Sequence, residues 1–438
     1  MIPSEKRLCG RLVRIEALSL WVDAGQGPLW YVSACDVSYL KAGDFIQFEI
    51  ETVPTRAEPI VHDVNLLARP TGTDDPFPSP QGDYFRLQKG NRRRFLSLRS
   101  RCLATIRDFF LQRDFLEIEA PLMVRSPGLE LHLQGFAVTE AATDEPERYL
   151  ITSPEYQMKR LLSAGLHRIF SLGKVFRSGE AGPVHHPEFT MLEWYRAFEG
   201  WEAVAQDVSA VCAQLARSIH KETFFEHPIE GKPCRVDLSL PWKTQTVREC
   251  VAQHAGIDIV GDETVAEFLH KMKQARLRIP QPSRRDSSGQ DVFAWEDLFF
   301  SIFLDQVEPR LSSATEDGYV RPIVLCDWPV RLCALARKKP GNPSVVERFE
   351  AYVAGLELCN GFGELCDPKE QKERLLHDLE ERKTRGLPQY PVDERFLFAL
   401  REGMPPSSGV ALGVDRLLML LLGASHIREV LPFTLTEL

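Results

Sequence analysis

FRSGEAGPVHHPEFTMLEWYR, residues Phe176–Arg196, is the stretch from which the rest of the chain is read. SLGKVF before it and EFTMLEWY at its end have the two-sided periodicity of strands. The Gly/Pro turn with a histidine pair between them predicts two antiparallel strands joined by a long loop. Arg177 and Phe189 then sit at facing ends of a hairpin. An arginine can fork onto a phosphate and an aromatic ring can lie under a base, as a nucleotide grip requires. Taken singly, a salt-bridged arginine and a core phenylalanine explain the same two residues.

The chain has 438 residues and a mass of 49.8 kDa, enough for a large catalytic domain and one small companion. A net charge of -9 and a pI near 5.8 give no global basic footprint for nucleic acid. The first ten residues have no apolar signal core, and LLMLLLGA near Leu417 is too short to span a membrane. Ten cysteines without a CxxC pair read as reduced thiols of a cytoplasmic protein, and zinc is not expected.

Residues 1–70 alternate short β-rich runs with turns at Ala24–Gly27 and Lys41–Asp44, which predicts a five-stranded OB-like barrel. Its seven basic and nine acidic residues leave two net negative charges, which disfavours strong salt-sensitive RNA binding. PTGTDDPFPSPQGD, Pro70–Asp83, reads as the body of a linker over 71–90. A helix is predicted over about 91–113, followed by a short strand in RDFLEIEAPLM, Phe115–Glu119. Thr152 and Glu155 have capping-box spacing before a helix from Glu155 to Ala164. Residues 200–340 look helical and are expected as an insertion beside the core, with PQPSRRDSSGQD as a polar loop.

RFEAYVAGLELCNGFGE, Arg348–Glu364, places Glu350, Glu357 and Glu364 seven residues apart. Its glycines and β-branched residues favour a hairpin turning at Ala354-Gly355 over a helix. Tyr352 then faces Glu357, with Glu350 and Glu357 diagonal on one face. Such carboxylates repel unless a cation such as magnesium lies between them, although a solvated acidic strand would show the same spacing. GVALG, Gly409–Gly413, is a small-residue strand entering a helix whose first turn holds Arg416.

Together these pieces are specific. Phe176–Arg196 resembles motif 2 of the class II aminoacyl-tRNA synthetases, RDFLEIEAPLM is similar to motif 1, and GVALGVDRLLML is similar to motif 3. SPEYQMKRLL, the Arg348–Glu364 hairpin and the C-terminal block resemble the lysyl-tRNA synthetase branch, above all its paralogous family, the elongation factor P (R)-β-lysine ligases. The resemblance covers about residues 90–438. It implies an α+β fold, an antiparallel sheet flanked by helices, with the small OB-like barrel added at the N-terminus.

The resemblance implies activation of (R)-β-lysine or lysine with ATP and transfer to a lysine side chain of elongation factor P, by a cytoplasmic homodimer. It gives catalytic roles to Arg177 and Arg416. It assigns ATP to Arg177, Ser178, Gly179, His186, Phe189, Glu357, Leu358, Gly413 and Arg416. The amino acid would meet Ser153, Pro154, Glu155, Tyr195, Glu364 and Ala411, with Tyr195 and Glu364 on its ε-ammonium. Glu350 and Glu357 would hold Mg2+. Ala411 and Ser153 stand where the tRNA enzymes usually carry glycine and alanine, which favours the ligase and disfavours tRNA as a partner. Gly179 replaces the glutamate of the family's Arg-x-Glu, and His186 an asparagine. The barrel, which short ligases generally lack, leaves two other readings: a lysyl-tRNA synthetase with a reduced N-terminal domain, and a non-catalytic paralogue.

Overall fold

The computed structural model describes residues 7–51, 59–70, 77–139, 148–229, 231–285, 291–311, 314–332 and 335–438. Parts of two expected segments, residues 71–76 of the linker and 286–290 of the polar loop, lie outside these. The chain forms two compact units, Met1–Arg94 and Phe95–Leu438.

In the first unit, β1 (Arg7–Glu16), β2 (Ser19–Asp23), β3 (Pro28–Ser33), β4 (Phe45–Glu51) and β5 (Ile60–Ala68) close a barrel in the order β1-β2-β3-β5-β4. Alternate residues such as Leu12, Leu20, Val22, Ile46, Phe48 and Val61 fill its centre. The described part of the expected linker packs onto this barrel. Phe77 lies 3.8 Å beneath the Arg11 guanidinium, Tyr84 donates to Asp23 at 3.0 Å, and Arg93 forks onto Asp23. Asp23 is buried, and these bonds keep its pKa low against the upward pull of burial.

The second unit begins with helix α1 (Arg92–Leu111), which straddles the boundary, and strand β6 (Leu116–Glu117). Next come α2 (Glu155–Ser163), β7 (Arg168–Phe176), β8 (Glu188–Ala197), α3 (Trp201–His220), β9 (Lys243–Thr246) and β10 (Ile323–Pro329). Then follow β11 (Lys338–Lys339), β12 (Asn342–Val353), β13 (Leu356–Gly363), α4 (Pro368–Thr384), α5 (Glu394–Gly403), β14 (Ser407–Gly413) and α6 (Val414–Leu422). One sheet runs β9-β10-β12-β13-β14-β8-β7-β6, with β11 paired to β12. It is antiparallel except at β9–β10 and β7–β6. Phe95, Ile106, Phe109 and Phe110 of α1, with the apolar stripes of α3 and α6, cover one face.

This topology corrects the expected helical insertion at 200–340. The segment holds helices, but Lys243–Thr246 and Ile323–Pro329 are strands of the main sheet. β10 hydrogen-bonds to β12, and β9 to β10, which lies far along the chain from it, a pairing that local helical periodicity does not report.

Both expected hairpins form. β7 and β8 pair in continuous register from Arg168↔Arg196 to Phe176↔Glu188. β12 and β13 meet through Ala354-Gly355, whose φ values of 52 and 76° suit a tight two-residue turn. Tyr352 faces Glu357, and a register shift between Ala351 and Tyr352 lies next to the turn.

Candidate active site

Alternation along β8 sorts its side chains. Leu192 and Trp194 enter the helix-covered core, while Phe189, Met191, Glu193 and Tyr195 face a cavity of about 1540 Å³.

At one end of the cavity two arginines converge from different elements. Arg177 follows β7 directly, and its guanidinium lies 5.1 Å from the Phe189 ring centroid. Its Nη1 is 3.6 Å from Glu180. Gly179 takes a φ of +82°, a turn conformation that suits glycine and is followed directly by Glu180. Arg416 donates through Nη1 to the Glu357 carbonyl at 3.0 Å and through Nη2 to His185 at 2.5 Å. Burial and Arg416 lower the pKa of His185, so it accepts as a neutral ring. His186 has a different task. Its Nδ1–H donates to the Glu188 carbonyl at 2.7 Å, and its Nε2 accepts the N–H of Leu435 at 3.3 Å, tying the hairpin loop to the C-terminal segment. Leu358, Gly413 and Ala411 complete this part of the wall.

The opposite end is acidic and buried. Glu193 is 2% exposed and accepts from Ser153 Oγ and Tyr195 OH, each at 2.7 Å. Burial, then Glu155, pushes its pKa up to about 8. Glu364 is 1% exposed and lies behind Tyr195 and Gly409. Burial pushes its pKa up to about 7 against the opposing pull of Lys159. Lys159, fully buried on α2, sits 2.5 Å from Glu155 Oε1 and 2.5 Å from Glu364 Oε2. Burial would lower its pKa, but the two carboxylates outweigh that and raise it. A Cβ on Gly409 would come within 2.3 Å of Tyr195 and 2.8 Å of Glu364 Oε1, so this wall admits only glycine without a shift.

Several expected contacts are therefore redistributed. The Thr152–Glu155 capping box does not form, because Glu155 is drawn to Lys159 and Thr152 Oγ1 donates to the Pro127 carbonyl at 2.5 Å. Ser153 Oγ instead accepts the Glu155 N–H at 3.1 Å. Tyr195, expected with Glu364 on the substrate's ε-ammonium, donates its OH to Glu193. Pro154 is the N-cap residue of α2 and, with Ser178, Gly179, Glu350 and Glu364, lies outside the lining of the main cavity. Ser178 contributes its N–H to the Gln134 carbonyl at 2.7 Å.

Glu350 is 4% exposed because Arg348 and Tyr352, on the same face of β12, close over its carboxylate; Arg348 is 2.5 Å away. Glu357 does line the cavity, and its charge helps raise the pKa of the half-buried Glu308 after burial itself. Among the described residues no three His, Cys, Asp or Glu side chains gather as a metal-binding group. Glu357, with Glu308 near it, offers carboxylate oxygens, which suit a hard divalent ion shared with bound phosphates, and Arg416 lies 3.7 Å from its Oε2.

Sequence reasoning missed Glu193, Lys159 and Glu130. A carboxylate between Leu192 and Trp194, two residues from Tyr195, was a usable signal for Glu193. Nothing local marks Glu130, whose buried Oε2 has no partner and whose pKa burial raises to about 7.

The tRNA synthetases class II (D, K and N) family matches residues 80–437. The chain belongs to this family. The elongation factor P–(R)-β-lysine ligase of Histophilus somni (strain 2336) is 36% identical over 343 residues, which are 78% of this chain and 94% of the relative. The ligase of Pasteurella multocida (strain Pm70) is 38% identical over 341 residues, 77% and 94% of the two chains. That of Haemophilus influenzae (strain PittGG) is 37% identical over 339 residues, 76% and 93%. Family membership makes the protein an ATP-using ligase and identifies the sheet as a class II catalytic domain. The barrel precedes the family match. No described helix is long and apolar enough to cross a membrane.

Proposed function

We propose that this ligase activates (R)-β-lysine, or lysine, as an aminoacyl-adenylate and transfers it to a lysine side chain of elongation factor P. The observation that carries the reading is the buried Ser153–Glu193–Tyr195 group beside Glu155 and Glu364, in one cavity with Arg177, Phe189 and Arg416. Buried carboxylates select ammonium groups, since an analogue lacking them leaves the acids unpaired. The similarity to the three ligases supports the acceptor.

In the first step a carboxylate oxygen of the amino acid bonds to the α-phosphorus of ATP, and the bond to the leaving pyrophosphate breaks. Arg177 holds the carboxylate and α-phosphate, Phe189 lies under the adenine, and Arg416 holds the far phosphates. Glu357 and Glu350 would hold Mg2+, which neutralises phosphate charge when bound, with Glu350 released from Arg348 and Tyr352. In the second step the acceptor amine bonds to the acyl carbon and AMP leaves. No enzyme nucleophile is required.

We also place the enzyme in the cytoplasm as a homodimer. Leu111, Leu116, Leu122 and Met123, around the motif 1 strand, are each 45–52% exposed and form the apolar surface that supports this.

ATP–pyrophosphate exchange with α-lysine and both β-lysine enantiomers, followed by intact mass of elongation factor P, tests the assignment. Exchange without a mass increase on elongation factor P would overturn the acceptor. One observation favours tRNA instead: across the barrel, Arg14 lies 5.1 Å over Trp21, and Trp21 stacks on the 42%-exposed Trp30 at 6.3 Å. Charging of tRNA by the same preparation would support that reading.

A further inference from the structure

We propose that Lys159 is a built-in counter-ion that sets the charge of the amino-acid pocket and so makes it selective for a substrate with two ammonium groups. This rests on the pocket assignment above, but not on the identity of the acceptor.

Lys159 is 0% exposed, with its ammonium 6.0 Å from the Phe396 ring and among the apolar side chains of α2 and α5. A lysine is seldom buried to that degree unless it is paired, and this one bridges acids from two elements. Glu155 lies one turn before it on α2, while Glu364 follows β13. Its stem therefore stays out of the cavity and only its charge is presented.

With a diamino acid bound, carboxylate charges on Glu155, Glu193 and Glu364 and the one internal ammonium sum to two negative charges. Lysine and β-lysine each bring two ammonium groups, and their carboxylate faces Arg177 at the other end. Lys159 occupies Oε2 of Glu364 and leaves Oε1 without a hydrogen-bond partner, beside the bare backbone of Gly409 in the cavity wall. A buried acceptor with no partner is costly, and a ligand ammonium is the group that would complete it.

The charged and titratable groups that face Glu364 are Lys159, Glu155, Tyr195, Arg337 and Cys366, with Glu193 next to Tyr195. Lys159 and Arg337 favour the carboxylate; Glu155 and burial oppose it. Without Lys159 the balance moves toward a protonated Glu364, which accepts an ammonium poorly. Lys159 is thus a positioning residue acting through Glu364.

The test is ATP–pyrophosphate exchange by Lys159→Met and the unaltered enzyme between pH 6 and 9, with lysine, β-lysine, norleucine and 6-aminohexanoate as amino acids. The expected result is a rise of roughly tenfold or more in KM for the diamino acids at neutral pH, with KM for ATP unchanged. The acid limb of kcat/KM should move up by about one pH unit, so that activity returns at high pH. Norleucine should gain relative to lysine at neutral pH.

A folded variant whose acid limb and lysine-to-norleucine ratio match the unaltered enzyme would overturn the proposal. Should the variant not fold, calorimetry of the unaltered enzyme in two buffers decides. Lysine binding near pH 7 should release protons that norleucine binding does not, and equal release would overturn the idea. Lysine-dependent exchange without transfer to elongation factor P would sink the acceptor assignment and leave this one standing. Exchange with no amino acid at all would sink both.

Discussion

Asp415 Oδ2 accepts the backbone N–H of Thr190 at 2.7 Å, joining the first turn of α6 to the second strand of the motif 2 hairpin. Arg99 of α1 closes the group, pairing with Asp415 and donating to Thr190 Oγ1 at 2.7 Å. Three segments that are distant in sequence are tied at one buried point beside the cavity. Asp415→Ala leaves the Arg99 charge buried without its partner, so a loss of about 3–5 kcal/mol is expected. Urea unfolding checks it. Combining it with Arg99→Met should cost less than the sum of the two single changes.

Gly409→Ala should fail at the amino acid. The added methyl meets Tyr195 and Glu364, and overpacking of this kind costs about 1–3 kcal/mol. We expect the KM for lysine-type substrates to rise far more than that for ATP. Exchange kinetics with each substrate varied in turn separate the two.

Phe189→Leu should weaken ATP. Loss of a stacked ring costs about 1–3 kcal/mol, so ATP affinity should fall roughly tenfold or more while lysine affinity holds. Arg177→Ala should lower kcat by roughly a hundredfold or more, because its charge is needed where negative charge develops. Equal losses in kcat for the two variants would contradict this division of labour.

Stability should depend on pH with a definite sign. Glu193 and Glu364 have folded-state pKa values raised to about 8 and about 7. A carboxyl raised on folding stabilises the fold while it stays protonated, and that contribution is lost as pH rises through the folded pKa. The free enzyme should therefore lose melting temperature as pH rises from about 4.5, the ordinary carboxyl value, to about 8, and Glu193→Gln should flatten the slope. Added lysine should oppose the loss increasingly as pH rises, which thermal melts with and without lysine will show.

Much of the site was legible because its parts are local. Turn residues and period-2 alternation mark the motif 2 hairpin and the Ala354-Gly355 turn, and these carry Arg177, Phe189 and Glu357. Glu350 was legible as a position but not as an environment: closure by Arg348 and Tyr352 depends on the face they share. Glu193 was written into a strand whose alternation was visible, yet its partner Ser153 comes from another element.

The sequence by itself determined the five-stranded barrel, the two hairpins and the order of the three motif blocks, because turns, alternation and helix stripes act over a few residues. Only the tertiary structure decided that β9 and β10 extend the main sheet, that Ser153 and not Thr152 serves the start of α2, and that Lys159 lies between Glu155 and Glu364. The reason is physical. Hydrogen bonds between sheet neighbours and ion pairs in a buried pocket join residues that are remote along the chain, and their strength depends on desolvation, which exists only once the fold has closed around them.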